Sequence, residues 1–334
     1  MWAAVYDDNL ERIKKIVKKK GVDVARNSRD ETGRTPLFGA RSAPVAQFLV
    51  EECGADVNAS NKDGDTPLHY VWSAPVAQFL VEKCGADVNA SNRFGDTPLL
   101  LACKHKFSFP VVQYLIQHGS DINCVGDRGR TPLYYACRHL NLLVVQCLVE
   151  HGANVNAKDE WGYTPLHLAS RYGYCPHVAR YLVEQCQADV NVRSNNGSSP
   201  LRWASRRGYL PTVQCLVENG ADTNSMDEDG KTPLHSAIEE RQPGCPILPT
   251  VQYLLANGAN LSARDNKNKT PFQLAQEKVR REEHFISFGD RRSLHVANFL
   301  QYHYNSKFDR RRSLVLYLVQ NGHLGRPENM EQDS

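Results

Sequence analysis

One recurring tripeptide constrains this chain more than any other feature. Thr-Pro-Leu stands at Thr35-Pro36-Leu37, Thr66-Pro67-Leu68, Thr97-Pro98-Leu99, Thr131-Pro132-Leu133, Thr164-Pro165-Leu166 and Thr232-Pro233-Leu234. Ser199-Pro200-Leu201 and Thr270-Pro271-Phe272 are variants of it. Successive anchors are 31, 31, 34, 33, 35, 33 and 38 residues apart. A period of about 33 residues describes a stack of small units, each of which buries its apolar face only against its neighbours. Such a stack offers a binding surface sooner than a closed catalytic pocket.

The anchor has a local physical meaning. A Thr or Ser hydroxyl accepts a hydrogen bond from an orphan amide of a first helical turn. Proline suits the next position, because its φ is already helical and its missing N–H costs nothing there. Each anchor is therefore expected to start a helix, as in Pro165-Leu166-His167-Leu168-Ala169-Ser170-Arg171-Tyr172, ended by Gly173. A second helix such as Val144–His151 carries one apolar stripe and stops before Gly152. The polar run Ala153-Asn154-Val155-Asn156-Ala157-Lys158-Asp159 then leads to Gly162 and the next anchor.

These residues resemble the ankyrin repeat, whose pattern is D-x-x-G-x-T-P-L-H-x-A-A, an apolar second helix, and G-A-D-V-N-A. Asp159 to Ala169 follows the first part, and Gly54–Ala59 and Gly85–Ala90 follow the last. The resemblance covers roughly residues 1 to 300. It implies an all-α, ankyrin-repeat solenoid of stacked helix-turn-helix units with hairpin-like loops. The expected organisation is an N-terminal capping repeat at 1–30 and seven repeats at 31–61, 62–92, 93–126, 127–159, 160–194, 195–227 and 228–265. An irregular C-terminal capping repeat at 266–303 and a helix with a tail at 304–334 would follow.

Several stretches depart from the pattern. Ser42–Asn61 and Ser73–Asn92 match at every position except Glu52 against Lys83, which marks a tandem duplication. Both copies are short between their helices, and Pro44 and Pro75 are expected to open the second helices directly. The seventh repeat carries Arg241–Pro249 between its helices, read as a structured loop because it holds three prolines and a glycine. Arg291–Leu300 or Arg312–Val319 would supply the last helix. Lys14, Lys15, Lys18, Lys19 and Lys20 read as the solvated outer face of a terminal repeat, with a nuclear localisation signal as the alternative.

Composition excludes some classes. Net charge is +3, so the chain as a whole is not expected to bind nucleic acid generally. No secretory signal or stretch of about 18 apolar residues occurs, so no membrane insertion is expected. The ten cysteines fall in repeat slots without C-x-x-C spacing, which reads as reduced structural thiols. A cytoplasmic location follows, with a nuclear one left open. No phosphate loop, H-E-x-x-H or G-x-S-x-G motif occurs, so neither an enzyme nor a cofactor or metal ion is expected. His69, His167 and His235 follow Thr-Pro-Leu and read as scaffold, bonding the cap hydroxyl and neighbouring backbone.

What remains is the variation at positions that the scaffold leaves free. In ankyrin-like stacks these are the loop tips before Thr-Pro and the exposed face of the first helix, which line a concave groove. They hold Arg93, Phe94, Asp96, Lys104 and His105 in the third repeat, and Arg128, Arg130, Arg138 and His139 in the fourth. The fifth has Glu160, Trp161, Tyr163, Arg171 and Tyr172; the sixth has Asn195, Asn196, Arg206 and Arg207. The seventh turns acidic with Glu228, Asp229, Glu239 and Glu240. Arginine beside Trp and Tyr is hot-spot composition. A monomer is therefore expected to bind a protein partner in the groove of repeats three to six, through an acidic or phosphorylated segment with an apolar anchor. Ser313, after three arginines, resembles a basophilic kinase site, and Asn123 and Asn224 resemble the ankyrin asparagines that some hydroxylases modify. The alternatives are an ordinary tail serine and loop-bonding asparagines.

Overall fold

The computed structural model describes residues 1–106, 108–239, 247–283 and 296–301. They fall into two compact units, 1–173 with 177–189, and 174–176 with 190 onward. Both are helical, and no strand occurs among the described residues. The first unit opens with Trp2–Tyr6 and Leu10–Lys20. Its regular helix pairs are Pro98–Lys104 with Phe109–Gln117, and Pro132–Arg138 with Leu142–Glu150. Pro165–Tyr172 pairs with the helix that runs from His177 to Gln185. The second unit holds Pro200–Arg207 with Leu210–Glu218, Pro233–Glu239 with Ile247–Ala256, and Pro271–Glu283. The architecture is the all-α stack of helical repeats that the ladder implies.

The anchors cap as their chemistry requires. The Thr97, Thr131, Ser199 and Thr270 hydroxyls accept the amides of Leu100, Tyr134, Arg202 and Gln273 at 3.2–3.3 Å. Where His stands third after the anchor it adds a reciprocal bond. The amides of Thr66, Thr164 and Thr232 donate to Nδ1 of His69, His167 and His235 at 3.0–3.2 Å. Nδ1 is then the acceptor, so the proton sits on Nε2. It points at the next repeat: His69 reaches the Asp96 carbonyl and His235 the Lys269 carbonyl, each at 3.1 Å. In the sixth repeat Arg202 takes the histidine slot and forms a buried ion pair with Asp227 at 2.6 Å. The anchor leucines and their second-helix counterparts are buried throughout and form the core.

Two expectations about elements need correction. The first two anchors do not start α-helices: Pro36–Gly39 and Pro67–Tyr70 are single 3₁₀ turns. The reason is length, since the chain must reach Ser42 and Ser73 early to begin Ala43–Gln47 and Ala74–Gln78. Ile247, Leu248 and Pro249 are not loop but the first residues of Ile247–Ala256; a proline is compatible with a first helical turn. The rest of that insertion, 241–246, lies outside the described residues. Residues 296–301 are helical and overlap the first of the two candidates for a last helix. Arg312–Val319 lies outside the described residues.

A finer feature explains one cysteine slot. Leu49-Val50-Glu51-Glu52-Cys53-Gly54 has one residue more than Leu115-Ile116-Gln117-His118-Gly119. The helix absorbs it by a wider last turn, in which the Cys53 amide reaches back five residues to the Phe48 carbonyl at 3.1 Å. Phe79–Lys83 and Tyr181–Gln185 widen likewise before Cys84 and Cys186. The nine described cysteines are free thiols, six of them buried. No described helix is long and apolar enough to cross a membrane.

Candidate functional site

The loop tips are fixed by a repeated device. In most of the loops a short polar side chain opens the turn and accepts amides two and four residues on, the mimic of a backbone turn. Asp159 Oδ1 accepts the amides of Trp161 at 3.0 Å and Tyr163 at 2.8 Å. Asn92 holds Phe94 and Asp96 in the same way, both at 2.9 Å. Neighbouring tips are stapled to each other, as when the Glu160 amide donates to the Arg128 carbonyl at 3.1 Å. Phe94 and Trp161 are thereby held outward on ordered backbone, 47% and 40% exposed.

The fourth loop breaks the device. Gly126 occupies the slot that Asp30, Asn61, Asn92 and Asp159 hold elsewhere in this unit. A Cβ there would collide with the Asp96 carboxylate and crowd Leu100. Asp96 Oδ1 instead accepts the Asp127 amide at 3.3 Å. Without an internal acceptor the loop refolds locally, and Arg128 adopts φ +62°, where an L-residue is uncommon.

The result is a concentration of guanidinium on aromatic rings. Arg128 lies 5.3 Å and Arg130 5.1 Å from the Trp161 ring centroid, and Arg130 lies 5.3 Å from that of Tyr134. At the other end of the first helices, Arg138 and Arg171 lie 5.8 and 5.5 Å from the Tyr172 ring. Cations over aromatic faces are attracted by the ring quadrupole, worth about 0.5–1 kcal/mol when exposed. The stacking also restricts where each guanidinium sits.

Electrostatic compensation is uneven. At the tips Arg93 pairs with Asp63 at 2.5 Å and Arg128 lies 3.6 Å from Asp127. Asp159 is buried beside Arg130, and burial lifts its carboxyl above the usual range against the pull of the Tyr163 and Trp161 amides. At the inter-helix end Lys104 pairs with Asp96 at 2.8 Å. Arg138 is exposed and has no carboxylate partner among the described residues. Desolvation, then neighbouring cations, push His105 and His139 below the ordinary histidine value.

The structure places the expected site residues in different surroundings. Asp96 is not a free tip residue but buried, and it neutralises Lys104. His139 spends Nε2 on the Lys104 carbonyl at 3.0 Å. Tyr163 is half-buried and packs edge-on against His167 at 5.5 Å. Arg206 and Arg207 lie in the second unit, where Arg206 sits 5.7 Å from the Trp203 ring. Asn123 and Asn224 are staples: Nδ2 donates to Gly152 and Gly258 carbonyls at 3.0 and 2.9 Å, while Oδ1 accepts Asn154 and Asn260 amides at 2.8 and 2.7 Å. Ser313 lies outside the described residues. Sequence reasoning missed Arg34, 4.7 Å from the Tyr70 ring, and Tyr134 beneath Arg130. Arg34 was findable, since it occupies the same loop slot as Arg130. Trp72, 53% exposed after the shortened turn, carried no such signal.

The family model described as ankyrin repeats (3 copies) matches in overlapping windows, residues 1–92, 73–159, 99–194, 141–227, 166–265 and 201–285. No curated protein matches the chain. Anchors, reciprocal histidine caps, stapled loops and these windows agree, and the chain belongs to the ankyrin-repeat family.

Proposed function

We propose that this chain is a non-catalytic protein-interaction module, an adaptor, scaffold or inhibitor, whose partner docks on the tips and first helices between Arg93 and Tyr172. Ankyrin repeats generally mediate protein–protein interaction. The observation that carries the local reading is the convergence of Arg128 and Arg130 on the exposed Trp161. Held arginine and tryptophan are the side chains that dominate binding energy when a partner covers them. Guanidinium calls for an acidic or phosphorylated segment, and Trp161 with Phe94 calls for an apolar anchor.

Affinity capture with the full chain, followed by mass spectrometry, tests this. The triple variant Trp161→Ala, Arg171→Ala, Tyr172→Ala should lose a partner that the wild type retains. Identical captured sets would overturn the reading.

A nuclear regulator is the second reading, favoured by the exposed Lys18, Lys19 and Lys20 at the end of Leu10–Lys20. If it acts on nucleic acid directly, affinity should fall steeply with salt. No duplex or single-strand binding at low salt would reject that form. A substrate-recognition role in a ubiquitin ligase rests on family analogy alone.

A further inference from the structure

Charge is not spread evenly over this chain. Leu10–Lys20 holds six basic residues and one acidic residue, while the whole chain carries only +3. The remaining residues together are therefore slightly acidic, and the excess positive charge sits on one helix. That helix packs against Trp2–Tyr6 and Asp23–Arg26, with Ile13 fully buried. Lys14, Lys15, Lys18, Lys19 and Lys20 are all exposed.

Lys14, Lys15, Lys18 and Lys19 stand at i, i+1, i+4 and i+5, so they share one face of the helix. The scaffold does not call for such a stripe. A terminal repeat needs a polar outer face, which mixed charges supply as well. Cations favour a helix C-terminus, which accounts for Lys18, Lys19 and Lys20 but not for Lys14 and Lys15 in mid-helix. Lys14 with Lys18, and Lys15 with Lys19, are like charges at i and i+4, an arrangement that destabilises a helix. Compensation is thin. Arg12 is answered by Asp7 at 3.3 Å and Lys14 by Glu11 at 3.4 Å. Among the described residues no carboxylate lies within salt-bridge distance of Lys15, Lys18, Lys19 or Lys20.

The charges left open are ammonium groups, compact and hydrated, without the forked donors that grip a single phosphate or carboxylate. No aromatic residue stands in Leu10–Lys20 to stack on a nucleic-acid base. Val22, just beyond the helix end, is 43% exposed and sets an apolar contact beside the charges. A row of ammoniums with an apolar residue at its end suits a plane of diffuse negative charge over hydrocarbon. We propose that Leu10–Lys20 docks this chain peripherally on an anionic bilayer surface, with Lys14, Lys15, Lys18 and Lys19 over the headgroups. This docking is separate from the protein-binding surface above and does not rest on it.

The test is co-sedimentation of the full chain with vesicles of phosphatidylcholine alone, or with about 30% phosphatidylserine. The expected result is about 10-fold or greater affinity for the anionic vesicles. That preference should vanish at about 1 M salt, where the screening length falls to about 3 Å. The combined variant Lys15→Gln, Lys18→Gln, Lys19→Gln should weaken binding by about 10-fold or more. Its melting temperature should not fall, because like-charge pairs are relieved. Arginine at the same three positions should bind like wild type, since a diffuse field needs charge and not geometry. Trp161→Ala should leave vesicle binding unchanged.

Equal affinity for neutral and anionic vesicles, no binding to either, or binding unmoved by the glutamine variant would overturn the proposal. Tighter binding to duplex DNA, single-stranded DNA or polyglutamate than to the vesicles would overturn it too, as would displacement by soluble glycerophosphoserine. Should the glutamine variant unfold, wild-type binding that survives high salt overturns the proposal by itself. Loss of vesicle binding in Trp161→Ala would assign the contact to the tip surface instead.

Discussion

His235 and Gln273 hold the same slot in successive repeats and do the same work. His235 accepts the Thr232 amide on Nδ1 at 3.2 Å, and Gln273 accepts the Thr270 amide on Oε1 at 2.9 Å. Only the histidine can take up a proton. Burial holds His69 and His235 below the ordinary value of 6.5. Above pH 6.5 both folded and unfolded forms are neutral there and the full stability is present. As pH falls through 6.5 the unfolded chain binds protons that the folded chain refuses, so stability drops. His235→Gln should therefore flatten the fall in urea-unfolding free energy between pH 7 and 5.5; an unchanged slope would contradict this. Gly126 gives a second residue-level expectation. Gly126→Ala should destabilise by about 1–3 kcal/mol through the clash with Asp96, read from the urea midpoint. The histidine slots were legible in sequence because they recur beside the same Thr-Pro. The role of Gly126 was not, because it lies in the Asp96 side chain of the preceding loop.

At the scale of elements, an extra residue is the recurring variable. The duplicated repeats lose residues between their helices and answer with a 3₁₀ turn, then gain one before the loop and answer with a widened turn. The same widened turn precedes Gln187, which takes the place that Gly54 and Gly85 hold in the other two. Gln187 has φ +54°, beside +67° and +69° for the glycines. A Cβ in that region costs about 1–2 kcal/mol. Gln187→Gly should raise the unfolding free energy by about 1 kcal/mol, with the melting temperature rising in step; a lower melting temperature would refute the account. The anchor intervals of 31 residues announced the shortening, but not that the first helix rather than the turn would absorb it. That choice follows from Ser42 and Ser73, which open the second helices at once.

For the molecule as a whole, scaffold and surface are separate sets of residues. The scaffold set was readable because each member recurs at the repeat period and meets its own kind one repeat away. The surface set was readable only as slots. Residue types at the tips and first-helix ends pointed to arginine near tryptophan, and Arg128, Arg130 and Trp161 do come together. Which charges cancel was not readable, since Lys104 finds Asp96 within its own repeat while Arg138 finds ring and no carboxylate. The central claim is that Trp161 serves recognition and not stability. It is tested most directly by calorimetric titration of a captured partner against wild type and Trp161→Ala, with melting temperatures measured on both. The account predicts a dissociation constant weakened by about 30-fold or more, a loss on the order of 2 kcal/mol, at an unchanged melting temperature. An unchanged dissociation constant, or a loss of binding that accompanies unfolding, would contradict it.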